Sequence, residues 1–294
     1  KEVDTLEIPG GFLQIANGEY KPKNSQFIRF TDRLDELIKE ADFIISHAGV
    51  GVLFESLEMG KKVICVPNIE RSDKHQIEIA QELSKRGLVL LIDNLKDLKI
   101  AVKEIRSFIP QPFNVPSFNT EKFCKLSGIK DNDLVAILAS TGGHLEEARL
   151  LANALISAKP NLKIDFYIPF GNNIRIENLK DSHHIYFSPY TAKYRGLLGW
   201  MIFVLSAIKT IISSLKVKIP RFPTHTISVG TADTAFIFAR LGWLGSERII
   251  LESRARVKSI SYSVKILKLF KAIIFRQWDT SILDAPAVGV LYNK

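Results

Sequence analysis

Short apolar runs alternate along the chain with stretches in which apolar side chains recur every third or fourth position. The runs predict buried strands, and the periodic stretches predict helices with one apolar face. Gly11–Ile15 and Phe27–Phe30 are the first two strand signals, and Asp32–Glu40 spaces Leu34, Leu37 and Ile38 as a helix does. Phe43–Ser46 then predicts a strand, Gly51–Met59 a helix, Lys62–Pro67 a strand and His75–Arg86 a long helix. Leu88–Ile92 reads as a strand and Leu95–Phe108 as a helix. Short apolar strands separated by helices predict a parallel sheet covered on both faces.

Ile109–Asp133 breaks this rhythm with Pro110, Pro112 and Pro116 among polar residues, which predicts a linker. The alternation then resumes: Leu134–Ala139 predicts a strand, His144–Ala158 a helix and Lys163–Ile168 a strand. Thr226–Val229, the helical Thr234–Leu241 and Arg248–Glu252 complete the series. The expected fold class is α/β, with a first domain over 1–108, a linker over 109–133 and a second domain over 134–294. A length of 294 residues suits two domains.

Two stretches of the second half depart from a soluble pattern. Leu197–Leu215 carries Lys209 as its only charge over nineteen residues, and includes Trp200 and Phe203. That length is near the ~20 residues that span a bilayer, but serines, a threonine and the lysine leave a core helix or a surface-lying segment open. Tyr262–Arg276 sets Lys265, Lys268 and Lys271 at three-residue spacing among Ile, Leu and Phe, which predicts a basic amphipathic helix suited to a membrane surface. A solvated helix face is the plainer explanation for that stretch alone.

Composition narrows the picture. With 46 % hydrophobic and 24 % charged residues the chain is neither a disordered tail nor a polytopic membrane protein. Two cysteines, Cys65 and Cys124, leave no disulfide framework and no four-cysteine zinc site. Cys65 lies in an apolar run and predicts a buried, reduced thiol, so a reducing compartment is expected, with no signal peptide at the start. Charge is uneven: residues 1–110 carry a net −2 and the remainder a net +11. Only the second half is expected to meet a polyanion, whether an anionic membrane, a phosphorylated substrate or, least supported, nucleic acid.

The chemistry-bearing residues cluster at strand ends. Ser46-His47-Ala48-Gly49-Val50-Gly51 turns a strand into a helix through two glycines, which lets backbone amides approach an anion such as a diphosphate. A tight turn needs glycine for structural reasons too. Glu55 follows one helical turn after Gly51, placed to accept hydrogen bonds from sugar hydroxyls. His75 and Gln76 open the next helix at the same expected sheet edge. Asp131-Asn132-Asp133 has the spacing of a metal-binding pair but precedes its strand, at the opposite edge. No metal and no cofactor are expected.

Residues 45–87, ISHAGVGVLFESLEMGKKVICVPN and later HQIEIAQELSKRG, resemble the donor-binding half of lipid-linked N-acetylglucosaminyltransferases. They are similar to the catalytic subunit of the two-subunit dolichol-pathway enzyme and to the carboxyl-terminal domain of the bacterial peptidoglycan enzyme. Ala139-Ser140-Thr141-Gly142-Gly143-His144, LESRARVKSIS at 251–261 and Phe275-Arg276-Gln277-Trp278 resemble the membrane-anchored partner subunit. The resemblance covers most of residues 11–280. It implies a GT-B fold, with two Rossmann-like domains facing across a cleft. It also implies an inverting transferase that moves GlcNAc from UDP-GlcNAc to a polyprenyl-diphosphate-linked sugar at the cytosolic membrane face.

Carried over by position, the helix start at Gly49–Gly51 is expected to hold the UDP diphosphate and Glu55 the ribose, with His47 also among the donor-binding residues. His75 and Gln76 would face the donor sugar, and Gly142 and Gly143 the acceptor. Glu252 and Arg256 match an acceptor-half motif with no role implied. Of the six histidines, His144 alone follows a glycine pair at a strand end of the acceptor half; it is expected to be the general base, or else a diphosphate contact. Two departures from the resembled pattern stand out. The donor half comes first, the reverse of the peptidoglycan enzyme, and its own first strand is expected to lie before Lys1. Alternatives are an exopolysaccharide galactosyl- or glucuronosyltransferase of the same split architecture, or a non-catalytic membrane scaffold for a separate donor subunit.

Overall fold

The computed structural model describes residues 2–6, 8–16, 18–31, 33–68, 75–176, 179, 181–188, 205 and 208–292. The chain divides into two compact units between Asn114 and Val115. The first unit holds β1 (Phe12–Gln14) and β2 (Gln26–Ile28), a short parallel pair. Three further parallel strands form its sheet in sequence order: β3 (Phe43–Ser46), β4 (Lys62–Cys65) and β5 (Leu90–Leu91). Around them lie α1 (Leu34–Glu40), α2 (Val50–Glu58), α3 (His75–Lys85) and α4 (Leu98–Ser107). The helix expected over Leu95–Phe108 begins as a 3₁₀ turn, where Asn94 caps the amide of Lys96, and only then becomes α4. Leu98, Ala101 and Ile105 of α4 are buried against Ile64 of β4, at the three- and four-residue spacing of one helix face.

The second unit is built on one six-stranded parallel sheet. Its strands are β6 (Leu134–Leu138), β7 (Lys163–Pro169), β8 (Ser182–Phe187), β9 (His225–Ser228), β10 (Glu247–Leu251) and β11 (Ile273–Phe275). Their spatial order is β11-β10-β9-β6-β7-β8. The helices are α5 (Thr120–Ser127), α6 (Gly143–Ala158), α7 (208–216), α8 (Ala235–Trp243) and α9 (Tyr262–Leu267). Alternate residues of each strand serve opposite cores. Val135, Ile137 and Ala139 join Ile227, Ile249 and Phe275 beneath α5 and α6. Ala136 and Leu138 join Tyr167, Phe187 and Ile250 beneath α8 and α9.

Both units are thus parallel-sheet α/β, the fold class expected from the pattern. Three local expectations are corrected. Part of the stretch read as a linker, 109–133, is core of the second unit: α5 buries Phe123 and Cys124, and Phe123 lies 4.7 Å from Phe275, centroid to centroid. Tyr262–Arg276 is not one amphipathic helix. It stops at Leu267, makes a 3₁₀ turn, reverses at Lys271 with φ 48° and enters β11, whose Phe275 is fully buried. The lysine spacing there mimics a helix because three residues separate the charges, while tertiary pairing with β10 sets the conformation. Leu88–Ile92 pairs only through Leu90 and Leu91.

The free edge of β11 is covered by the segment that follows it. Residues 286–291 run beside it, with the Arg276 amide donating to Pro286 and the Val288 amide to Arg276. On its other side this segment is tied to the entry of the unit: the amides of Phe118, Asn119 and Val290 donate to Val290, Val288 and Pro116. Gly289 sits at the crossing with φ 84°, and a Cβ there would lie 2.1 Å from the Ser117 carbonyl oxygen. Only glycine fits that contact.

Candidate functional site

In the first unit, β3 and β4 are adjacent and parallel, with Ser46 paired to Cys65, so both run out at the same sheet edge. The chain beyond β3 turns through Ala48, which is fully buried and left-handed at φ 65°. A left-handed alanine costs roughly 1–2 kcal/mol, and backbone strain of this sort gathers at functional turns. Gly49 is then the N-cap of α2, with extended φ and ψ and no side-chain cap, which leaves the first amides of the helix to another partner. The exposed His47 ring lies over this start, since a Cβ on Gly49 would come within 3.2 Å of its Cε1 and Nε2. A Cβ on Gly51 would meet nothing within 4 Å. Helix dipole and free amides together suit an anion.

Glu55 is half-buried on α2, one turn in from that start. His75 and Gln76 are the first residues of α3, beyond β4. Gln76 is 3 % exposed and, among the described residues, its Oε1 has no hydrogen-bond partner, an unusual state for a buried amide. The sheet therefore carries His47, Gly49, Gly51, Glu55, His75 and Gln76 to the carboxyl ends of two neighbouring strands.

In the second unit β6 leads through Ala139–Thr141 to Gly142, at φ 67°, and into α6, again with no side-chain cap. Neither Gly142 nor Gly143 would find an atom within 4 Å of an added Cβ. His144 is half-buried at the first turn, and its Nδ1 is buried without a partner among the described residues. Beside this loop lies the one that follows β9. Leu138 pairs with Ser228, so the two loops leave the sheet at the same level. The strand order reverses here, because β7 and β8 extend one way from β6 while β9, β10 and β11 extend the other. Ligands of open parallel sheets bind at such a switch point, outside the carboxyl ends.

The motif after β10 serves mainly to hold its own loop. Glu252 is 1 % exposed and accepts the amides of Ser253 and Ser261 at 3.0 and 2.9 Å. Burial pushes its carboxyl above the usual range, opposed by those hydrogen bonds and by Arg256. Arg256 donates to Ser259 within the same loop. Glu147 of α6, which the sequence pattern does not single out, is the second anchor. It accepts the Ser253 hydroxyl at 2.7 Å and the Arg254 amide at 3.2 Å, and Gln277 reaches it at 3.5 Å. Asp131 and Asp133 are engaged at the opposite edge, with Asn161 and with Lys130 and His225.

One face of this sheet carries α7, α8 and α9. Arg240 of α8 donates to carbonyls at the end of α7, those of Ser214 and Leu215, and to that of Val217 just beyond it. Outward-facing apolar side chains persist on all three helices: Leu205 and Leu215 around α7, Trp243 at 73 % exposure on α8, and Tyr262 and Leu269 at 76 % and 79 % around α9. Lys209, Lys216, Lys265, Lys268 and Lys271 are exposed among them. A groove of about 710 Å³ runs between α7 and the edge strand β8, lined by Phe170, Tyr186, Ile212 and Lys216 among others. Trp200 and Phe203 lie outside the described residues. Among the described residues, no helix is long and apolar enough to cross a membrane.

Residues 11–127 match the Glycosyltransferase family 28 C-terminal domain. That span contains the whole of the β3–α2 and β4–α3 edge. The chain is also 39 % identical over 82 residues to the UDP-N-acetylglucosamine transferase subunit ALG13 of Mus musculus, covering 26 % of this chain and 7 % of that protein. To the subunit of the same name in Debaryomyces hansenii it is 36 % identical over 141 residues, 44 % of this chain and 65 % of that one. The UDP-N-acetylglucosamine--N-acetylmuramyl-(pentapeptide) pyrophosphoryl-undecaprenol N-acetylglucosamine transferase of Flavobacterium psychrophilum is 34 % identical over 84 residues, 27 % of this chain and 23 % of that protein. The chain spans less than two thirds of the length of these relatives. Among solved structures, the crystal structure of Acinetobacter baumannii MurG covers 55 % of this chain and 47 % of its own, with 14 % identity and a TM-score of 0.35.

Proposed function

We propose that this chain is an inverting glycosyltransferase that moves N-acetylglucosamine from UDP-N-acetylglucosamine to a polyprenyl-diphosphate-linked sugar at the cytosolic face of a membrane. The observation that carries this is the family 28 match over 11–127, whose span holds an uncapped, glycine-lined helix start at a parallel-sheet edge. In this proposal the amides of α2 take the UDP diphosphate, with His47 beside them, and Glu55 takes the ribose hydroxyls. His75 and Gln76 face the sugar; the unpartnered Oε1 of Gln76 supports that placement. As UDP departs, the helix start meets the charge that develops on it, with no metal in the step.

The second unit plays the part of the membrane-anchored partner, so that donor and acceptor halves are fused in one chain. Gly142, Gly143 and His144 face the lipid diphosphate, with His144 either as proton acceptor or as a contact to that anion. Glu252 and Arg256 shape the neighbouring loop. The apolar and lysine-bearing face of α7, α8 and α9 supports attachment to an anionic lipid surface, with Trp200 and Phe203 as further apolar contacts. The test is transfer by the purified protein from a panel of UDP-sugars to lipid-diphosphate-linked acceptors. Transfer of GlcNAc above all other sugars is expected. Preference for galactose or glucuronate would replace the donor in this proposal, and no transfer from any donor would favour a scaffold.

A further inference from the structure

Asp233 lies on the loop after β9 and is 9 % exposed. The Ser140 hydroxyl donates to its Oδ2 at 2.7 Å, a bond that joins the β6–α6 loop to the β9–α8 loop across the switch point. Among the described residues no cation pairs with it. A buried carboxylate without a cation is costly, and the fold does not use this one as a cap. The N-cap of α8 is Thr234, whose hydroxyl turns back to the Thr231 carbonyl, and no side chain caps the helix. One oxygen is thus fixed by a serine that lies two residues before Gly142 on the turn into α6.

His144, the histidine of the same edge, lacks the feature that a base of this type needs. A catalytic imidazole is normally oriented through its second nitrogen, and His144 Nδ1 is buried with no partner among the described residues. Asp233 does have an orienting group.

We propose that Asp233, oriented by Ser140, is the carboxylate that receives the proton of the acceptor hydroxyl, which leaves His144 to the lipid diphosphate. This rests on the transfer reaction proposed above. The acceptor oxygen bonds to the anomeric carbon of the donor sugar, and the bond from that carbon to the UDP phosphate oxygen breaks, its electron pair leaving on UDP. The hydroxyl proton passes to Asp233, which later returns it to solvent. A positioned carboxylate in this role is worth ~10²–10⁴-fold in turnover.

The experiment is steady-state kinetics of the full chain with UDP-N-acetylglucosamine and a prenyl-diphosphate-linked N-acetylglucosamine, alongside UDP titration and thermal melting. Asp233→Asn, which keeps shape and the bond from Ser140, should lower kcat ~10²–10⁴-fold, with the acceptor KM, UDP affinity and melting temperature held. Ser140→Ala leaves the carboxylate in place but unheld, and should lower kcat by a smaller factor; it serves as the reporter where Asp233→Asn does not fold. Near-normal kcat in Asp233→Asn with a raised acceptor KM would overturn the assignment and make Asp233 a reader of hydroxyls. Near-normal kinetics in both variants would also overturn it, as a structural carboxylate. Absence of transfer by the unaltered protein would remove the reaction itself, and the assignment with it.

Discussion

At the scale of the residue, the two halves solve one problem twice, each with a glycine-bearing turn that ends a strand and leaves a helix start uncapped. In the first unit the proposal makes Glu55 the reader of ribose. Glu55→Ala should weaken UDP binding by about 1.5–3 kcal/mol, the size of a hydrogen bond to a charged group, in a calorimetric titration. Unchanged affinity would remove it from the site. The turns themselves were legible in sequence because a tight passage from strand to helix demands glycine at a fixed spacing. Asp233 was not, because what marks it is the hydroxyl of Ser140, 93 residues away in the chain. A second residue-level consequence concerns acid. His225 is buried at the start of β9, and that burial holds its imidazole below the ordinary value, against the pull of Asp133 at 3.3 Å. A histidine whose folded value is depressed contributes stability above its unfolded value, ~6.5, and loses it as pH falls through the folded one. Melting temperature should therefore fall on acidification from pH ~7 to ~5, and His225→Gln should flatten that slope.

At the scale of the element, the alternation of apolar runs recovered β4, β6, β7, β9 and β10 because all five are interior strands of mostly buried residues, and it recovered the edge strand β3 from its apolar run Phe43–Ile45. The missed strands are the edge strands of the second sheet. Ser182–Phe187 reads Ser-His-His-Ile-Tyr-Phe, too polar for a buried run, because β8 has a neighbour on one side only. Ile273–Phe275 was absorbed into a lysine spacing. Helix α5 hid among prolines that mark the approach to it rather than a gap between domains. The other edge depends on the strap of residues 286–291. Gly289→Ala would combine a left-handed alanine with a contact that cannot be relieved without moving backbone. A loss of about 2–4 kcal/mol is expected, read as a lower denaturant midpoint with little change in slope. An unaltered midpoint would mean that the strap is not part of the cooperative unit.

At the scale of the whole molecule, charge and apolar exposure are sorted together. The excess of positive charge falls after residue 110, and three helices on one face of the second sheet present both lysines and bare hydrophobic side chains. Reversing Lys265, Lys268 and Lys271 to glutamate should reduce co-sedimentation with anionic vesicles at low salt. Each lysine near such a surface contributes about 1 kcal/mol, so the triple variant should lose most of its binding. If sedimentation is unchanged, the contact lies elsewhere. The break of the lysine series by β11 does not weaken this expectation, since all three remain exposed after the reversal at Lys271.

The strap that covers β11 also sets an order of events during synthesis. Its residues are translated well after their partners at 116–119 and only after β11 itself. Until the ribosome has passed Tyr292, the second sheet has a bare parallel edge, the kind of surface that recruits strands from other chains. Strand β11 itself must already be waiting for a segment that follows it. In the cell this protein should therefore depend on chaperone shelter between the making of β11 and that of Leu291, and ribosome stalling in that stretch should be more damaging than stalling between the two units.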